Sequence, residues 1–87
     1  MVIPSLLAEF YRERIEDNLA LMEYLARDIG EMNRIREGAG RDWGIEELTR
    51  AIIFEEGQTI ELLRKEVEND RKEISKLKKG RPSESPA

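Results

Sequence analysis

A seven-residue repeat of apolar residues runs through the second half of the chain. Branched aliphatic residues recur at every seventh position, and a leucine follows two of them three positions later: Ile53, Ile60, Val67 and Ile74, with Leu63 and Leu77. This spacing places all of them on one side of an α-helix, at the a and d positions of a heptad repeat. A stripe of this kind has to be covered, so the pattern predicts a long helix that packs against another helix.

Two acidic residues interrupt the stripe. Glu56 and Asp70 fall at d positions, where burial of a charge is costly unless the charge is paired. An interrupted stripe suits a helical bundle or an adjustable interface better than a permanent zipper.

The residues that flank the stripe carry opposite charges. Acidic residues occupy g and basic residues occupy e: Glu66 and Glu73, then Arg64, Arg71 and Lys78. In a parallel homodimer of this helix each g glutamate faces an e cation of the other copy, whereas an antiparallel homodimer sets arginine against arginine. The flanks favour parallel pairing if the helix meets its own copy. A fold-back onto the first half of the chain would use the same stripe, and the sequence leaves both arrangements open.

The first half of the chain predicts a helix over residues 5–37. Ser5 follows Pro4 and marks the start. One face carries apolar residues three or four apart: Ile15, Leu19, Met22, Leu25, Ala26, Ile29 and Met32. Asn18 interrupts this face at a d position, where we expect it to be solvated or to fix the register. Other apolar residues lie partly off the face, which indicates contacts with more than one neighbour: Leu6, Phe10, Leu21 and Tyr24.

A short connection, residues 38–42, joins the two predicted helices. Gly38 or Gly40 is suited to the left-handed conformation that ends a helix, and Asp42 is suited to cap the next one. Because short connections join antiparallel neighbours, we expect residues 1–79 to form one helical-hairpin domain.

The second helix is predicted over residues 43–79. Gly57 lies inside it, but the heptad continues in phase through this glycine, so we expect a continuous or kinked helix rather than a break. Residues 80–87 hold no packing residues and are expected to be a disordered tail.

Size and composition favour self-association. The chain has 87 residues, without cysteine or histidine, so neither a disulfide nor a thiolate or imidazole metal site supports its small core. A second copy is the remaining support, and we predict a coiled-coil or four-helix-bundle homodimer. We call the residues expected to carry association the seam: Ile15, Met22, Ile29, Ile53, Ile60, Leu63, Val67 and Ile74.

Catalysis is not predicted. No nucleophile stands with a recognisable base, and the glycines near residue 38 do not form a phosphate-binding loop. The segment 26–32 resembles the end of the first helix of AroQ-type chorismate mutases, which implies an all-helical enzyme as a third function. Leu21 and Asn33 stand where that family has the cations that hold the substrate, so no catalytic, cofactor or metal residue is assigned.

A basic segment near the end of the chain suggests an alternative function. The segment 76–82 resembles the Gly-Arg-Pro core of an AT-hook, although Lys79 replaces the arginine that normally precedes the glycine. The resemblance implies a DNA-associated regulator that inserts an extended arginine into the minor groove. Its contacts would come from Lys78, Lys79 and Arg81. The net charge of −4 does not favour nucleic acid as the main partner.

The sequence therefore favours a small non-enzymatic adaptor, regulator or inhibitor, of a kind common among phage and mobile-element proteins. Candidate residues for an unidentified protein partner are Phe10, Tyr24 and Trp43. For Trp43 the favoured interpretation is that it seals the end of the hydrophobic interior, and the partner anchor is the alternative. No apolar run is long enough to cross a membrane, so a soluble, cytoplasmic protein is expected.

Overall fold

The computed structural model describes the backbone of residues 3–84 and the side chains of residues 5–78. Two helices, α1 (Ile3–Ala39) and α2 (Trp43–Glu84), pack against each other as an antiparallel hairpin. The Cα atoms extend over 68 × 18 × 13 Å. Residues 3–84 contain no strand, and the predicted all-α helical hairpin is confirmed.

Both helices extend beyond their predicted bounds. Helix α1 begins at Ile3, before the predicted Ser5, because proline is tolerated in a first turn whose N–H groups have no intrahelical partner. Helix α2 continues to Glu84, five residues past the predicted end at 79. Residues 85–87 lie outside the described residues, and the disorder of the tail in solution stays a prediction.

The turn uses the residues that the sequence assigns to it. Gly40 has a φ of 66°, the left-handed conformation that glycine adopts without strain. Asp42 caps α2, because its Oδ1 accepts a hydrogen bond from the Ile45 N–H at 3.2 Å. Helix α2 then passes through Gly57 without a break.

The interior of the hairpin is thin. Among the described residues, Leu25 and Val67 are the buried apolar side chains, and Thr49 and Asp70 are buried polar ones. The Thr49 hydroxyl donates to the carbonyl of Ile45 at 2.8 Å, within its own helix. Two helices alone cover only one side of each other, so most inward-facing side chains stay half-buried.

Candidate protein-interaction surface

The seam lies between the two helices of one chain. Val67 is 3% exposed, and the other seven seam residues are half-buried. In this position they hold α1 against α2. Their predicted contact with a second copy is not tested by this arrangement and stays a prediction.

The charge pairing predicted between the g glutamates of one copy and the e cations of another is not required to hold the hairpin together. Arg64 contacts Glu68 at 2.9 Å and also Glu61, both in its own helix. These exposed pairs support α2 locally and contribute little each.

Arg14 crosses from α1 and pairs with the acidic residue at the centre of the α2 stripe. Its Nε and Nη2 donate to Asp70 Oδ2 and Oδ1 at 2.8 and 2.7 Å, and Asp70 is fully buried. This hydrogen bond raises the pKa of Arg14 above its ordinary value. The guanidinium also lies 5.4 Å from the ring centroid of Phe10 and 5.8 Å from that of Tyr11. The charge at this d position is therefore paired, as its burial requires.

A second polar contact lies one helical turn further along. Asn18 Nδ2 donates to Glu66 Oε1 at 2.6 Å, and Glu66 Oε2 is 3.9 Å from Arg14 Nε. The two contacts are equally spaced on both helices, because Asn18 follows Arg14 by four residues and Glu66 precedes Asp70 by four residues. A shift of the helices by one residue would break both, so the cluster fixes the register of the hairpin.

Two carboxylates meet further towards the turn, and no cation among the described side chains pairs with them. Glu56 Oε1 is buried without a hydrogen-bond partner among the described residues, and the carboxyl group of Asp28 is its acidic neighbour. A hydrogen bond with Asp28 raises the pKa of Glu56, and burial and the negative charge of Asp28 raise it further. At neutral pH the repulsion between these two carboxylates destabilises the hairpin.

Glu56→Gln is expected to stabilise the hairpin at pH 7. The amide removes a buried charge and can donate to Asp28, so we expect a rise in Tm of roughly 4 °C, equivalent to about 1 kcal/mol. Because the folded pKa of Glu56 is raised, its stabilising contribution is present below its ordinary value of 4.5 and is lost as pH rises through the folded value. Thermal melts of dilute protein between pH 3 and pH 7 measure this, and the advantage of the variant should disappear at the acidic end. A variant that melts below the parent at pH 7 would contradict the expectation.

Exposed apolar side chains gather on one side of the hairpin. A step of seven residues is about two turns of a helix and returns to nearly the same side. Such steps separate Arg14 and Asp28, which contact α2, from three exposed apolar residues of α1, which therefore lie on the same side: Leu7, Leu21 and Ile35. On α2, Ile45 lies three heptads before Glu66 and shares its side. We call the exposed apolar residues on this side the lateral face: Leu7, Phe10, Leu21, Tyr24 and Ile35 from α1, with Ile45, Leu48 and Leu62 from α2.

The opposite side of the hairpin is mostly charged. The large exposed apolar residues that lie outside the lateral face, among the described positions, are Leu6, Leu19, Trp43 and Phe54. Leu19 is as exposed as Leu21 of the lateral face, 41% against 43%, but two residues turn a helix by about 200°, so the two leucines point to opposite sides. The asymmetry leaves most of the large exposed apolar side chains on one side of the hairpin.

The three predicted partner residues occupy different places. Phe10 and Tyr24 are more than half exposed and belong to the lateral face. Trp43 stands at the start of α2 and is 72% exposed, so it does not seal the end of the interior. It keeps the alternative predicted role, that of an anchor for a partner.

The predicted DNA-binding segment lies at the end of α2. Lys78 is exposed, and the side chains of Lys79 and Arg81 fall outside the described residues. The backbone there is helical as far as Glu84, whereas an AT-hook uses an extended arginine. Binding in that manner would require the last turns of α2 to unwind, and it stays an untested alternative.

Within the described part of the chain no group of three or more acidic side chains is placed to hold a metal ion. None of the described helices is long and apolar enough to cross a membrane. Leu21 and Asn33, the positions at which the chorismate mutase resemblance lacks its cations, lie on α1, Leu21 exposed and Asn33 half-buried.

The fold defines the class of protein as an all-α helical hairpin. Comparison with models of protein families, with curated proteins and with solved structures gave no match. The functional argument therefore depends on the surface described above.

Sequence reasoning located part of this surface. The four apolar residues of α1 that fall off the inward face gave the signal for a second neighbour, and three of them, Phe10, Leu21 and Tyr24, belong to the lateral face. The contributions of Leu48 and Leu62 were missed because single exposed leucines are common on helices. They become informative only when the register shows which residues of α1 lie beside them.

Proposed function

We propose that this chain is a small non-enzymatic protein-interaction module that associates with itself, as two hairpins in a four-helix bundle. The observation that carries the proposal is the lateral face, which gathers eight exposed apolar residues on one side of the hairpin. Exposed apolar side chains that occur singly need no explanation, whereas a group of them gathered along one side is typical of an interaction surface.

The thin interior supports the same proposal. An isolated pair of helices leaves its inward-facing residues half-covered, and a second pair of helices would cover their remaining surface on the lateral side. Burial of apolar surface is the main favourable term in such association. The seam would then contribute to self-association through the edges that α1 and α2 leave open.

A further protein partner would meet the surfaces that remain outside the dimer. Trp43 at the turn is the strongest candidate anchor, because a tryptophan supplies a large apolar area with one hydrogen-bond donor. An adaptor or regulator of this kind acts by holding its partner, which requires no catalytic group.

Light scattering over a concentration series tests self-association. We expect the mass of two chains at micromolar concentration and a shift towards one chain on dilution, because association is governed by mass action. The buffer needs no reducing agent, since the chain has no cysteine that could form an artefactual disulfide. A single-chain mass up to millimolar concentration would remove the proposed homodimer.

A further inference from the structure

The lateral face alternates between apolar and charged zones along the length of the hairpin. From the open end to the turn the zones are Leu7 with Phe10, Arg14 with Asp70, Leu21 with Tyr24 and Leu62, Asp28 with Glu56, and Ile35 with Leu48. The sequence of zones is apolar, charged, apolar, charged, apolar. It therefore reads the same from either end.

The α1 residues of these zones are evenly spaced about Leu21. Leu7, Arg14, Leu21, Asp28 and Ile35 follow one another at steps of seven residues. Each step rises about 10 Å along the helix, so Arg14 and Asp28 lie at equal distances on either side of Leu21. Leu7 and Ile35 lie about twice as far away on the same two sides.

The two charged zones differ in what they lack. Arg14 is one-third exposed, and its Nη1 is not among the atoms that bind Asp70. Asp28 and Glu56 form a carboxylate pair, and the described side chains of the same chain place no cation on it. The Arg14 zone thus has an unused hydrogen-bond donor, whereas the zone of Asp28 and Glu56 lacks a donor.

We propose that a second copy of this chain packs on the lateral face in antiparallel orientation about a two-fold axis near Leu21, so that Arg14 of each copy meets Asp28 and Glu56 of the other. This assignment rests on the proposed self-association and names its surface and orientation. A two-fold axis there places Leu7 against Ile35 and Leu21 against Leu21. A parallel arrangement would instead set Arg14 against Arg14 and one carboxylate pair against another.

The geometry of helical bundles agrees with this arrangement. In a heptad, the a and d positions point towards the other helix of the hairpin, and the direction midway between c and g lies about 100° away from them. In a four-helix bundle each helix has two neighbours at about a right angle, so a helix that uses a and d for one neighbour can use c and g for the other. All eight residues of the lateral face fall at c or g. The side of the hairpin is up to 68 Å long and at least 13 Å wide, room enough for the roughly 800 Å² per partner of a stable interface.

Leu21→Asp and Leu19→Asp form a matched pair that tests the surface. Both leucines lie on α1 with nearly equal exposure, 43% and 41%, so effects on the hairpin itself should be similar. Sedimentation or light scattering over a concentration series should show that Leu21→Asp raises the dimer dissociation constant about 100-fold. The reason is that symmetry places two carboxylates in one apolar zone. Leu19→Asp should leave the dissociation constant unchanged within a few-fold.

Single-cysteine variants of the cysteine-free chain test the orientation. We expect Leu21→Cys to cross-link to its own copy with a short bis-maleimide, because the two positions meet at the axis. Leu7→Cys should not cross-link to itself, since antiparallel packing separates its two copies by about 42 Å. It should cross-link when mixed with Ile35→Cys.

The outcomes separate this assignment from the proposed function. A dimer that Leu21→Asp weakens no more than Leu19→Asp overturns the assigned surface, while self-association stands. Efficient cross-linking of Leu7→Cys to itself overturns the antiparallel orientation. A single-chain mass for the intact protein at every concentration overturns the proposed self-association, and the assigned surface with it.

Discussion

Val67→Asp is expected to unfold the hairpin rather than merely separate two copies. Val67 is 3% exposed between α1 and α2, next to the fully buried Asp70 on the same stripe. A new carboxylate there would be buried without a cation, and the apolar contacts of the valine would be lost. We expect a cost of about 4 kcal/mol or more. For a chain of 87 residues that is a large part of the total stability.

Circular dichroism at 222 nm during thermal melting measures this effect. The matched control is Phe54→Asp, on the same helix but 64% exposed, which should keep most of the helical signal and the Tm of the parent. If Val67→Asp retained full helicity and lost only its dimer mass, the seam would face a second copy instead of α1, and the intramolecular packing described above would be contradicted.

Arg14→Met is expected to destabilise the hairpin strongly. Methionine keeps much of the side-chain volume but leaves the carboxylate of Asp70 buried and unpaired, the most costly way to break a buried ion pair. We expect a fall in Tm of roughly 15 °C, measured at a concentration below self-association.

The reverse variant, Asp70→Leu, should be milder. Arg14 is one-third exposed, so after loss of its partner it can turn to water or to Glu66, which already lies 3.9 Å away. The double variant Arg14→Met with Asp70→Leu should recover most of the lost Tm, because it replaces the pair by apolar groups. A double-mutant cycle measures the coupling, and strictly additive effects would show that the pair does not act as a unit.

The periodicity of the sequence determined the fold because it repeats over many turns. Seven-residue spacing defines an inward side on each half of the chain, and Gly40 with Asp42 defines a connection too short for anything but an antiparallel return. The ends of the helices were less well predicted. Pro4 is a helix breaker in the middle of a helix but is harmless in a first turn, and the sequence alone did not distinguish these cases.

The sequence also stated which polar residues needed partners, but not which partners they find. Asp70 and Glu56 fall at equivalent heptad positions, yet Asp70 meets Arg14 and Glu56 meets Asp28. The difference is made by the relative register of the two helices. Periodicity within one helix does not fix that register, because a shift by seven residues would preserve the same apolar contacts.

By itself the sequence determined two long helices, a tight turn and an interior stripe, because these depend on residues close together in the chain. Only the tertiary structure decided that the seam is used within one chain and that eight apolar residues from both helices form the lateral face. The physical reason is that a surface shared by two helices is defined by their register and orientation, which arise from contacts between residues as far apart as Arg14 and Asp70.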